Sequence, residues 1–148
     1  MDLCDLPAHK LGELLRGRRV SAEEICRSVL QRIDEVEGKV RAYITLDAER
    51  ALEQARRVDG MLRDGRELPP LAGIPVAVKD NICTRGLRTT CASRILANFV
   101  PPYNATVVEK LAAAEAVIIG KTNMDEFAMG SSTENSGFFP TRNPWDYS

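Results

Sequence analysis

Histidine is nearly absent: His9, in the first short helical stretch, is the only one among 148 residues, so Ser-His and Cys-His triads have little material here. Cysteine is sparse and unclustered. Cys4, Cys26, Cys83 and Cys91 show no C-x-x-C spacing and no grouping with His9, which argues against zinc or any other metal centre and against a disulfide framework. Reduced, partly buried thiols are expected instead. An excess of one charge is also missing: 20 basic residues lie among 21 acidic ones, for a net charge of -1, and form no basic stripe able to release counterions from a nucleic-acid backbone. Direct RNA grip by this segment is therefore not expected. No apolar run approaches the ~20 residues needed to cross a bilayer. Met1-Asp2-Leu3-Cys4-Asp5 lacks the basic and apolar regions of a secretion signal, so a cytoplasmic location away from membranes is the expectation. Internal repeats and low-complexity tracts are lacking too.

What is present is the length of one domain, 44% hydrophobic and 28% charged, enough to bury a core. Residues 6 to 16 predict a short helix with Leu11, Leu14 and Leu15 on one side. Ser21-Ala22-Glu23-Glu24 fits a capping box, and Ala22, Ile25, Cys26, Val29, Leu30, Ile33 and Val36 continue as one apolar face to about Glu37. Tyr43–Leu46 reads as a strand. Asp47 can cap a second long helix whose Ala48, Ala51, Leu52, Ala55, Val58 and Leu62 share a face. Glu67-Leu68-Pro69-Pro70 is extended linker, because consecutive prolines supply no amide donors. Thr84–Tyr103 carries few regular signals beyond a helical hint at Ser93–Ala97. Asn104 or Thr106 starts a helix through Ala114, followed by the strand Val117–Ile119. The rhythm is α/β.

The chain is organised around Leu71-Ala72-Gly73-Ile74-Pro75-Val76-Ala77-Val78-Lys79-Asp80-Asn81. Val76, Ala77 and Val78 read as a short buried strand ending in a polar turn, which delivers Lys79 to the rim of a sheet. An amine held against apolar walls is desolvated, and desolvation disfavours its charged form and makes it a usable proton acceptor near neutral pH. Lys79 is the candidate catalytic residue on this argument. The plain alternative is a solvated lysine at a strand end.

Asp125-Glu126-Phe127-Ala128-Met129 suggests a single helical turn, and Gly130-Ser131-Ser132-Thr133-Glu134-Asn135-Ser136-Gly137 is rich in small hydroxyl and amide groups. Such a loop lets backbone approach a ligand and offers donors to a polar substrate, although surface turns share the composition. Gly120-Lys121-Thr122 imitates the end of a phosphate-binding loop. The glycine required five residues earlier is replaced by Glu115, and Ala116-Val117-Ile118-Ile119 is strand-like where a flexible turn is needed, so nucleotide binding there is not expected.

Read together, Gly73–Ile82, Gly120–Ser131 and Thr141-Arg142-Asn143-Pro144-Trp145-Asp146 resemble the amidase signature family, over essentially the whole chain. Within it the sequence is similar to the A subunits of tRNA-dependent amidotransferases, about their first third. The resemblance implies the N-terminal part of the amidase signature fold, a mixed sheet covered by helices. It implies one incomplete domain over 1–148: a helical start (about 1–66), the Lys79 strand and loop (67–103), and a helix, strand and substrate loop (104–148). It further implies a catalytic set of two serines and a lysine, the lysine falling on Lys79. The serines belong to a signature after the Asn-Pro-Trp motif, and none of Ser131, Ser132, Ser136 or Ser148 occupies a matching position.

The implied activity is glutamine hydrolysis, supplying ammonia for converting Glu-tRNA(Gln), and often Asp-tRNA(Asn), to the amidated forms. Met129, Gly130, Ser131 and Ser132 are the implied substrate-binding residues. The B and C subunits are the implied partners, with misacylated tRNA reached through the complex. ATP and magnesium belong to the B subunit, and no cofactor is expected on this segment. Alone, these 148 residues are expected to be inactive. A stand-alone amidase and a non-catalytic interaction domain remain as alternatives. The family usually carries glycine where this sequence has Glu115; a non-glycine residue at positive φ there costs about 1 kcal/mol unless the turn is built differently.

Overall fold

The computed structural model describes residues 2–147. In chain order it contains a 3₁₀ turn Leu3–Asp5, α1 Ala8–Arg16, α2 Ala22–Val40, β1 Tyr43–Leu46, α3 Ala48–Arg63, β2 Pro75–Lys79, a 3₁₀ turn Arg94–Leu96, α4 Thr106–Ala113, β3 Val117–Thr122 and a 3₁₀ turn Glu126–Ala128. The strands form one sheet in the order β1-β3-β2. β1 is antiparallel to β3, with Tyr43 opposite Thr122, Thr45 opposite Lys121 and Leu46 opposite Gly120. The bonds Val117 N to Ile74 O and Asp80 N to Thr122 O run in the same sense along both chains, so β2 and β3 are parallel. The sheet is mixed, as the α/β reading requires.

Two compact units are formed: Met1–Ile33, Asp47–Val76 and Lys110–Ile119 in one, and Asp34–Leu46, Ala77–Glu109 and Gly120–Ser148 in the other. In the first unit the apolar stripes read from the sequence make the core: Leu11 and Leu15 of α1, Ile25 and Cys26 of α2, and Ala51, Ala55 and Val58 of α3 are buried. Burial pushes the Cys26 thiol up to about 11. The capping box forms as expected. Ser21 N donates to Glu24 Oε2 at 2.7 Å, and Glu24 N donates to Ser21 Oγ at 3.1 Å. The next two free amides of α2, those of Ala22 and Glu23, are taken by Asp59 of α3 at 2.7 and 3.0 Å, a long-range cap that no local pattern announces.

Two boundaries differ from expectation by about three residues. α2 runs through Gly38 to Val40, since Gly38 lies at an open face and it is Arg41, at φ 57°, that turns the chain away. β3 continues past Ile119 through Gly120-Lys121-Thr122, because those residues pair with β1. The phosphate-loop imitation is thus strand backbone.

Glu115 adopts φ 55°, the left-handed turn that glycine occupies more easily. Its carbonyl accepts from Gly73 N at 2.9 Å, and its carboxylate pairs with Arg57 at 2.7 Å. Exposed ion pairs are worth about 0–1 kcal/mol, comparable to the backbone strain. Glu115→Gly should therefore unfold within about 0.5 kcal/mol of the parent, because it loses the pair and the strain together. Glu115→Ala keeps the strain and loses the pair, and should be the weaker of the two by about 1 kcal/mol. Urea unfolding of both variants checks this; equal midpoints would refute the strain argument.

Candidate functional site

Every candidate residue lies in the second unit. β2 alternates at its end: Val78 is buried, Lys79 exposed and Asp80 buried, as period-two geometry demands. The expectation that aliphatic neighbours shelter the Lys79 amine is therefore corrected. Val78 and Asp80 turn inward, which aims Lys79 outward into an exposed position.

The enclosed lysine is Lys121 on β3, fully buried. Its Nζ donates to the carbonyl of Ile82 and, at 2.9 Å, to Thr89 Oγ1. Burial pushes its pKa below the ordinary lysine value, and the charge of Asp80 opposes that shift. Asp80 Oδ2 accepts from the Thr90 hydroxyl, from Thr90 N at 3.0 Å and from Ala92 N at 3.4 Å. Asp80 Oδ1 is buried with no hydrogen-bond donor among the described residues. Sequence reasoning weighed Lys121 only as a phosphate ligand. A lysine that continues the apolar run Ala116–Ile119 is the signal that could have found this buried residue.

Thr90–Ser93, in a region with few sequence signals, ties two parts of the site together. On one side Cys91 N donates to Asp80 O at 3.0 Å. On the other, Phe127 N donates to Cys91 O at 3.0 Å, Gly137 N to Ala92 O at 2.7 Å, and Ser93 Oγ to Glu126 Oε1 at 2.6 Å. The β2 terminus and the 126–137 loop thus share one anchor. Burial, with Asp80 nearby, pushes the Cys91 thiol above its usual range, so it is a poor nucleophile. Left-handed backbone concentrates here: Cys91, Ala92, Phe127, Ala128 and Thr133 all have φ between 52 and 66°. Strain of this kind persists where surrounding bonds over-determine it. The single helical turn expected at Asp125–Met129 is a three-residue 3₁₀ turn broken by Phe127.

Met129, Gly130, Ser131 and Ser132 are exposed on that loop, with Met129 73% accessible. They offer backbone groups, hydroxyls and an apolar side chain to solvent, while their loop is held from within. Among the described residues no cluster of three or more His, Cys, Asp or Glu could hold a metal ion, and no helix is long and apolar enough to cross a membrane.

The family model described as Amidase matches residues 24–148. The chain is 72% identical over 146 residues to the A subunit of the glutamyl-tRNA(Gln) amidotransferase of Desulforudis audaxviator, covering 99% of this chain and 30% of that relative. Among solved structures it is similar to the corresponding A subunit of Thermotoga maritima, with 40% identity, TM-score 0.75, and coverage of 99% of this chain and 29% of that one. It is also similar to the native peptide amidase of Stenotrophomonas maltophilia, with 31% identity, TM-score 0.86, and coverage of 97% of this chain and 31% of the other. The chain spans about 30% of the length of the relatives it matches.

Proposed function

The chain belongs to the amidase family, and from that membership we propose that it forms the N-terminal part of a glutamine-hydrolysing A subunit of a tRNA-dependent amidotransferase. The observation that carries this reading is the 72% identity, along nearly all of the chain, to the A subunit of a glutamyl-tRNA(Gln) amidotransferase. Lys79 is the proposed proton relay and general base. Its place at the exposed end of a strand leaves the amine open to groups supplied from outside the 148 residues. In this reading two serine hydroxyls are among them.

The proposed chemistry needs an amine able to take up a proton. Lys79 accepts a proton through a bridging serine, and the second serine attacks the glutamine carboxamide carbon. The C–N bond breaks, the departing nitrogen takes a proton and leaves as ammonia, and water then releases glutamate from the acyl-enzyme. Met129–Ser132 contact the substrate. Ammonia serves the partner B subunit, which uses ATP and magnesium to activate the carboxylate carried by misacylated tRNA, with the C subunit completing the assembly.

The test is ammonia release from glutamine by the full-length protein assembled with its partners, with and without ATP and Glu-tRNA(Gln). Glutamine turnover that depends on partners and charged tRNA is the expected result. Turnover of another amide by the full-length protein on its own, with glutamine untouched, would replace this reading with a stand-alone amidase, the alternative that the peptide amidase likeness supports.

A further inference from the structure

We propose that Asp125 is the positioning residue of the amide-binding loop: its carboxylate fixes the backbone of Ser132, Thr133 and Asn135, and so holds Met129–Ser132 in one shape before substrate arrives. The proposal rests on the reading of that loop as the substrate contact.

Asp125 is buried, although the loop it serves is exposed. Oδ2 accepts from Ser132 N at 3.0 Å and Thr133 N at 2.9 Å, and Oδ1 accepts from Asn135 N at 3.0 Å. Both oxygens of one carboxylate are thus filled by backbone donors from a single loop, a charge-assisted arrangement stronger than neutral hydrogen bonds. The Thr133 and Asn135 amides lead in holding this carboxyl below its ordinary range. Gly130 completes the fit. A Cβ there would lie 2.5 Å from Asp125 Cγ, so the loop can cross the carboxylate only where a side chain is missing.

Asn123 secures the far end of the loop by a separate set of bonds. Its Nδ2 donates to Phe139 O at 2.8 Å and Thr141 Oγ1 at 3.0 Å, while its Oδ1 accepts from Ser136 Oγ at 2.8 Å. Asn123 and Asp125 are thus two polar side chains, two residues apart, that hold the 132–141 stretch from beneath. Because Met129–Ser132 are exposed and add little to any core, the clamp's value lies in the shape of the loop. Order established before binding removes an entropic cost from the encounter and keeps the reacting amide aligned.

Asp125→Asn breaks the clamp with minimal change in volume. A carboxamide presents one acceptor oxygen, so either the Asn135 amide or the Ser132 and Thr133 amides must face an NH₂ group. In the full-length protein the expected result is a rise of about 10- to 100-fold in KM for glutamine with a much smaller change in kcat. A folding defect would lower the amount of active enzyme and leave KM alone, so an unchanged KM overturns the proposal. Amide hydrogen exchange on the wild-type chain keeps the idea testable even if the variant does not fold. The folded pKa lies below the ordinary 3.8, so Ser132, Thr133 and Asn135 should stay protected at neutral pH and lose protection together only as pH falls below that value. Rapid exchange of these amides at pH 7 overturns the clamp. Wild-type enzyme that leaves glutamine intact removes the functional reading and the positioning role with it, whereas glutamine turnover with an unmoved KM in the variant removes the positioning role alone.

Discussion

Lys79→Ala in the full-length protein is expected to lower glutamine hydrolysis by about 10²- to 10⁴-fold while leaving the unfolding midpoint nearly unchanged. The kinetic half follows from the role proposed for the amine: without it, nothing receives the proton that must leave the nucleophilic hydroxyl as the C–N bond is attacked. The stability half follows from position. Lys79 is exposed at the last residue of β2, and the inward side chains of that strand end belong to Val78 and Asp80, so truncation empties no cavity. Exposed substitutions of this kind stay within about 0.5 kcal/mol of the parent. Lys79→Arg separates base from mere cation, because a guanidinium keeps its proton at any accessible pH and should not restore turnover. Ammonia release by Lys79→Ala at the parental rate would end the assignment, and a large drop in unfolding midpoint would show that the residue is structural after all.

The opposite outcome is expected at the other lysine of the site. Lys121→Ala should destabilise the fold by about 2–5 kcal/mol, because it truncates a fully buried side chain. The change also opens a cavity and strips hydrogen-bond donors from Ile82 O and Thr89 Oγ1. Lys121→Met restores much of the volume and none of the donors, so its loss should be smaller but still clear in urea unfolding. Introducing Asp80→Asn into Lys121→Met should then cost less than it does in the parent, the signature of a coupled pair.

Stability should also depend on pH with a definite sign. The folded pKa of Lys121 is lowered, so the unfolded chain holds its proton more tightly. Between the folded value and the ordinary 10.5, rising pH should therefore favour the fold in the parent relative to Lys121→Met. Parental stability in Lys121→Ala would refute the whole account of the buried cluster.

The sequence alone determined the elements whose signals are local. Periodic apolar residues set α2 and α3, Ser21 with Glu24 and Asp47 set their starts, and Tyr43–Leu46 and Val76–Val78 marked two strands, because capping and pleat alternation act over a few residues. The motifs around Lys79, Gly120–Ser131 and Asn143-Pro144-Trp145 were also enough to point to the family that the residue 24–148 match identifies.

What only the tertiary structure decided depends on partners far away in sequence. Which lysine is buried was settled by tertiary packing, since Ile82 O and Thr89 Oγ1, beyond the end of β2, accept from the fully buried Lys121 while the alternation of β2 turns Lys79 outward. Asp59 capping α2, Thr90–Ser93 bridging the β2 end to the 126–137 loop, and Asp125 gathering three amides of its own loop are likewise invisible in a linear pattern. Hydrogen bonds to backbone amides are blind to the identity of the residue that bears them, so the sequence carries no mark of where those carboxylates point.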